Sequence, residues 1–95
     1  MIEVAVVGVG GWGKNLARNF YQLPEANLRY VCDLDPEKLE NMRRLYPGTQ
    51  TTSDFEDMLQ DPELHAVVIA TTGPTHYPLA RMALLAGKDV YVEKP

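Results

Sequence analysis

Three glycines and one aspartate are the residues of this chain whose types and spacing can act together chemically. Gly8, Gly10 and Gly13 stand as Gly-x-Gly-x-x-Gly in the stretch IEVAVVGVGGWGKN, with Gly11 and Trp12 inside the same turn. In a strand–turn–helix unit each glycine has its own task. The first permits the tight turn, the second lets backbone approach a pyrophosphate, and the third lets the helix pack on the strand. The helix start then presents free N–H groups and a partial positive charge to the phosphates. Asp33 follows Gly13 by twenty residues, at the end of LRYVCD. A carboxylate in that place can accept hydrogen bonds from both ribose hydroxyls of an adenosine. Glycine turns after strands are common. This one gains its meaning from the β-branched residues before it, the helical pattern after it and the acid beyond, which together predict a dinucleotide site. Leu34 follows Asp33 where an arginine could have paired with a 2′-phosphate, so NAD is expected in preference to NADP. Arg29 and Lys38 are the nearest basic side chains. Trp12 either covers neighbouring loops or walls the cofactor site.

These residues need a sheet edge and helix starts to hold them. Ile2–Val7 reads as a central parallel strand, apolar on both faces. A helix over residues 12–22 places Leu16, Ala17, Phe20 and Leu23 inward and ends before Pro24. A second strand over 28–32 delivers Asp33 to the carboxyl edge, where open α/β sheets bind ligands. Asp35-Pro36-Glu37 reads as an N-cap, a first-turn proline and an early acid. The helix it opens, 36–46, turns Leu39, Met42, Leu45 and Tyr46 inward and leaves Glu37, Lys38, Glu40, Arg43 and Arg44 as a solvated face. A short strand is expected over 49–51. Ser53 to Glu56 has capping-box spacing, with Ser53 as N-cap, ahead of a brief helix to Leu59. Residues 66–70 form a buried strand with His65 structural or solvated at its amino edge. The chain then turns through 71–76 into a helix over 77–86, with Leu79, Met82, Ala83 and Ala86 inward and Gly87 as stop. A last strand, Asp89–Val92, brings Glu93-Lys94-Pro95 to the carboxyl edge. This alternation predicts an α/β fold, a Rossmann-like three-layer αβα sandwich on a mainly parallel, doubly wound sheet.

At 95 residues the chain allows one domain and is short for a complete doubly wound sheet, so it reads as the leading part of one, truncated on its C-terminal side. Its 45% hydrophobic and 23% charged content suits a packed core. A net charge of −4 without a basic cluster argues against nucleic acid or an acidic membrane as partner, and implies that phosphates are held by backbone, not by Lys or Arg. Cys32 is the only cysteine, so no internal disulfide and no two-cysteine metal or redox motif is possible, and no metal site is expected. No signal peptide and no apolar run near the roughly 20 residues of a bilayer span is present. A cytoplasmic protein is expected.

AVVGVGGWGKN, the strand-end Asp33, AVVIATTGPTH, the helix ending in AG, and VYVEKP together resemble the N-terminal domain of the Gfo/Idh/MocA oxidoreductases, over the whole chain. The resemblance implies a nicotinamide-dependent dehydrogenase or reductase acting on a hydroxyl of a sugar, cyclitol or nucleotide-sugar. Gly8, Gly10 and Gly13, with Gly11 and Trp12 between them, match the phosphate turn, and Asp33 matches the ribose acid. Thr71, Thr72 and His76 match the loop near the cofactor, and Glu93 and Lys94 match the closing motif. Lys94 is then the catalytic candidate, beside the nicotinamide and the reacting carbon. Many relatives have proline where this chain has Thr72, so the local loop differs. Members continue into an α+β domain that binds substrate and associates into homo-oligomers. Residues 1–95 alone are therefore expected to turn over no substrate.

Two other readings keep part of the pattern. A non-catalytic NAD-binding regulatory module would use the glycines and Asp33 but neither His76 nor Lys94. A SAM-dependent methyltransferase shares the strand–glycine–helix opening and the acid, and fits the EKP ending poorly.

Overall fold

The computed structural model describes residues 1–71 and 73–93, with the side chains of all these except 73, 75 and 76. The elements alternate as expected: β1 (Ile2–Val7), α1 (Gly13–Gln22), β2 (Ala26–Cys32), α2 (Pro36–Leu45), β3 (Gln50–Thr52), α3 (Phe55–Leu59), β4 (Ala66–Ile69), α4 (Gly73–Leu85) and β5 (Asp89–Val92). The strands lie in the order β3-β2-β1-β4-β5 and every pair is parallel. From β1 the chain winds outward first through β2 and β3 and then, after crossing back, through β4 and β5. The crevice between the carboxyl ends of β1 and β4 is thus the switch point where a Rossmann sheet holds its ligand.

Alternation along the central strand explains the three layers. Val4 and Val6 join one core with Ala17 of α1 and Leu39 and Met42 of α2. Ala5 and Val7 join the other, with Met58 and Leu59 of α3 and Ala83 of α4. A strand sends successive side chains to opposite faces, so β1 needs apolar residues throughout and has them from Val4 to Val7. Register between β1 and β2 slips once, from Val4↔Leu28 to Ala5↔Tyr30, leaving Arg29 as an extra residue on β2. The slip lets Leu28 and Val31, three apart, share one core, which an unbroken strand cannot do.

Several expectations need correcting. Asp54, not Ser53, caps α3, its Oδ1 accepting from Asp57 N–H at 3.0 Å. β3 runs on to Thr52, whose Oγ1 accepts from Asp54 N–H, and this fixes the cap one residue later. Leu23 is 45% exposed because it is the extended C-cap of α1, already off the helical stripe. Leu45 ends α2 at 54% exposure, and the inward place is taken by Tyr46, whose ring packs against that of Tyr21, tilted by 43° with centroids 4.5 Å apart. Ala86 lies past the last turn of α4 and is exposed. That helix begins at Gly73, before the predicted 77, since Pro74 falls in its first turn where a missing N–H costs nothing. His76 is therefore in helical backbone and not in a preceding turn.

Candidate functional site

The glycine turn is built by close approach. A methyl group on Gly13 would stand 1.6 Å from the Gly8 carbonyl oxygen, so α1 lies directly on the first glycine of the turn. On Gly8, with φ +88°, it would meet Thr71 Cγ2 at 2.8 Å, which brings the loop after β4 against the same turn. Gly11 has φ +47° with open space around it. α1 starts at Trp12 with no side-chain cap and no acid in its first turn. α2 and α3, by contrast, are capped by Asp35 and Asp54 and carry acids in their first turns. The start of α1 is thus the one of these three free of negative side chains, as an incoming phosphate requires.

Asp33 leaves β2 beside this turn. Its Oδ2 accepts from the Val9 N–H at 2.9 Å and its Oδ1 from the Asp35 N–H at 2.9 Å. The predicted ribose acid therefore also pins the glycine turn to the end of β2. Each oxygen keeps a second acceptor position for a ligand hydroxyl.

Around them lies a cleft of about 660 Å³, lined among others by Gly10, Trp12, Asp33, Lys38, Thr71 and Glu93. Trp12 is 58% exposed and forms one wall. Glu93 is held at the edge by its N–H donating to Ile69 O at 2.9 Å. The structure thus gathers Gly8, Gly10, Gly11, Trp12, Asp33, Thr71 and Glu93 at one crevice. Thr72 and Lys94 lie outside the described residues, and His76 is placed by its backbone alone. Cys32 also reaches the cleft, its thiol pushed up to about 11 by burial first and then by the Asp33 and Asp54 carboxylates; it stays a neutral thiol.

Lys38 is exposed, as the solvated face of α2 predicts, and the end of its side chain also reaches over Gly10.

Charge at the other end of the sheet is self-contained. Arg29 Nε donates to Asp61 Oδ2 at 2.7 Å and its Nη1 to Glu3 Oε1 at 3.1 Å. Tyr30 OH donates to the same Asp61 oxygen at 2.6 Å, and Lys88 Nζ to the Asp61 carbonyl at 2.8 Å. Hydrogen bonds from Arg29 and then Tyr30 hold the Asp61 carboxyl well below the usual range. His65 is structural, its Nδ1 accepting from the Glu3 N–H at 3.0 Å. This cluster ties β1, β2 and the entrance of β4 together and removes Arg29 from any phosphate role.

The geometry fits a dinucleotide: an uncapped helix start, a turn that admits no side chain at Gly8 or Gly13, and an acid with spare acceptor positions. No helix of the described residues is long and apolar enough to cross a membrane. Comparison with known proteins gives the same reading. The model of the Gfo/Idh/MocA oxidoreductase family, NAD-binding Rossmann fold, matches residues 2–95. Inositol 2-dehydrogenase of Rhodococcus jostii is 38% identical over 99% of this chain, which spans 26% of that protein. The crystal structure of scyllo-inositol dehydrogenase from Lactobacillus casei, with NAD(H) and scyllo-inositol bound, superimposes with a TM-score of 0.91 at 31% identity. It covers all of this chain and 28% of that one. The chain therefore spans about a quarter of the length of these relatives.

Proposed function

We propose, for a chain that belongs to the Gfo/Idh/MocA oxidoreductase family, that its NAD-binding domain serves a cytoplasmic enzyme oxidising or reducing a hydroxyl carbon of a cyclitol or sugar. Its substrate domain follows in the same polypeptide. The observation that carries this reading is the convergence of the glycine turn, Asp33 and Glu93 on one crevice at the sheet's switch point. The inositol dehydrogenases among its relatives support a cyclitol over a nucleotide-sugar.

Bound NAD supplies the carbon that accepts or releases hydride. The chain's own residues bind and orient it. The start of α1 faces the phosphates, Asp33 accepts from the adenosine ribose hydroxyls, and Trp12 shields the turn. Lys94, which follows Glu93 in the sequence, donates to the substrate oxygen in reduction and steadies its developing negative charge in oxidation.

The test is Lys94→Met in the intact protein, which keeps a similar stem and removes charge and donors. NAD affinity and fold should persist while kcat falls about a hundredfold or more, the scale for losing a positioned proton-transfer group. A kcat near wild type removes Lys94 from the mechanism. Retained NAD binding without NAD reduction across a panel of cyclitols and sugars overturns the dehydrogenase reading in favour of a non-catalytic NAD-binding module.

A further inference from the structure

The largest side chain in the crevice is an aromatic ring that the fold itself does not use. Trp12 is the N-cap of α1, its carbonyl accepting from the Asn15 and Leu16 N–H groups at 3.0 and 3.3 Å. The backbone beneath the indole is therefore fixed by the helix, while the residue is 58% exposed and lines the cleft. Among the described residues, the ring pair is Tyr21 with Tyr46 and the cation over a ring is Arg29 over Tyr30; neither engages Trp12, and no hydrogen bond holds its indole N–H. A single exposed apolar residue on a convex surface is ordinary. On the wall of a concave site it offers a flat π face to whatever enters. The other strongly exposed apolar side chain of the cleft, Leu34, follows Asp33 at the adenosine end. Trp12 stands past the glycines, at the helix start itself.

Resting on the dinucleotide reading above, we propose that Trp12 distinguishes the oxidation state of the cofactor, its indole face lying on the nicotinamide ring and holding the oxidised form more tightly than the reduced. A dinucleotide carries one ring on each side of its pyrophosphate. With Asp33 taking the adenosine ribose and the glycine turn the pyrophosphate, the second ring passes the start of α1 toward Thr71 and Glu93 on the β4–β5 side of the crevice. The two forms of that ring differ in charge. Oxidised nicotinamide is a planar pyridinium cation, and hydride uptake leaves a neutral dihydropyridine. The negative face of an indole attracts a cation more strongly than any other aromatic side chain does, and has no such attraction for the neutral ring. Apolar bulk alone would shield both forms equally. The Glu93 carboxylate on the same cleft adds attraction of the same sign. The crevice thereby takes up oxidised cofactor and lets reduced cofactor go, which suits a chain that serves oxidation of a hydroxyl.

The experiment measures dissociation constants of NAD and NADH by calorimetry for the intact protein and for Trp12→Leu and Trp12→Phe, together with difference absorption spectra. Trp12→Leu keeps apolar bulk and removes the π face. It should weaken NAD about tenfold, the scale of a desolvated cation–π contact, and NADH far less, with Trp12→Phe between the two. An electron-rich indole stacked on a pyridinium also gives a broad charge-transfer absorption, expected when NAD is added to wild type, absent with NADH and lost in Trp12→Leu. Glu93 is intact in every variant, so the difference isolates the indole. A general loosening of the turn weakens both forms alike. An NAD-to-NADH ratio unchanged in Trp12→Leu therefore overturns the proposal even where both constants worsen, as does a wild-type spectrum without the band at saturating NAD. A wild-type protein that binds neither form overturns the function proposed above, a failure distinct from that of Trp12.

Discussion

Replacing Gly13 by alanine should cost this fold more than any other single methyl group in the glycine turn. The new Cβ would stand 1.6 Å from the Gly8 carbonyl oxygen, 2.7 Å from its carbon and 3.3 Å from Ala70 Cβ. Ordinary C···O contacts begin near about 3.3 Å, so α1 and the turn must separate by about 1.7 Å. The obstacle is backbone, which cannot swing aside as a side-chain end can. Alanine recovers about 1 kcal/mol of helix propensity, but overpacking of this kind costs about 3 kcal/mol or more. Separation also loosens Ala17, fully buried against β1. A net loss of about 2 kcal/mol is a large share of the roughly 5–14 kcal/mol that holds a domain of this size. Gly10→Ala is the control. There the nearest atom is the flexible end of Lys38, so stability should hardly change while dinucleotide affinity falls. Urea unfolding followed by circular dichroism, with NAD titration of both variants, reads the two effects separately. A Gly13→Ala midpoint equal to wild type would refute the close-approach argument. So would a Gly10→Ala variant as unstable as Gly13→Ala.

Two further outcomes follow from the other charged and nucleophilic groups. Asp61 is held below its unfolded pKa, so its contribution is full above about pH 4 and is lost as pH falls further toward the folded value. Asp61→Asn should lower the neutral-pH unfolding midpoint and flatten its decline in acid, and an unchanged acid profile would show that the Arg29–Asp61 pair does not govern it. Cys32, buried and with its thiol pushed up to about 11, should resist a maleimide in the native protein at neutral pH and react fully in denaturant. Fast native labelling would contradict its burial.

Much of the fold was legible because a parallel sheet writes its own signal. A strand buried on both faces must be apolar throughout, and Val4–Val7 and Ala66–Ile69 are. The element order, the glycine turn and the emergence of Asp33 at the crevice were readable for the same reason: each depends on local pattern. Helix ends were less so. Leu23, Leu45 and Ala86 carry the right residue types for an inward stripe, but the helices stop before or at them, and termination is decided by caps and neighbours. Ser53 and Asp54 are both good N-caps, and the choice fell to where β3 ended. The exposure of Lys38 was readable, but the reach of its side-chain end over Gly10 was not, because an exposed lysine on a helix has the same local pattern whether or not it also meets a neighbouring turn.

What no pattern shows is why Asp33 points where it does. At the start of the sheet, Ile2 pairs with Ala26, and an unbroken ladder would set Val7 against Val31. The slip at Arg29 advances β2 by one residue, so that Val7 pairs with Cys32 instead. Gly8 N–H then donates to Cys32 O at 2.8 Å, and Val9 N–H reaches the Asp33 carboxylate. The unbroken register would also turn every side chain of β2 beyond the slip to the other face, taking Val31 out of the α1–α2 core and placing Cys32, not Asp33, near the turn. The extra residue is tolerated because its side chain is claimed: Arg29 bonds both Asp61 and Glu3 at the amino edge. Bulges re-aim side chains beside active sites, and this one acts from the opposite end of the strand. The charged cluster at the amino edge thereby holds the register that brings Asp33 to the crevice, and Asp33 in turn fastens the glycine turn.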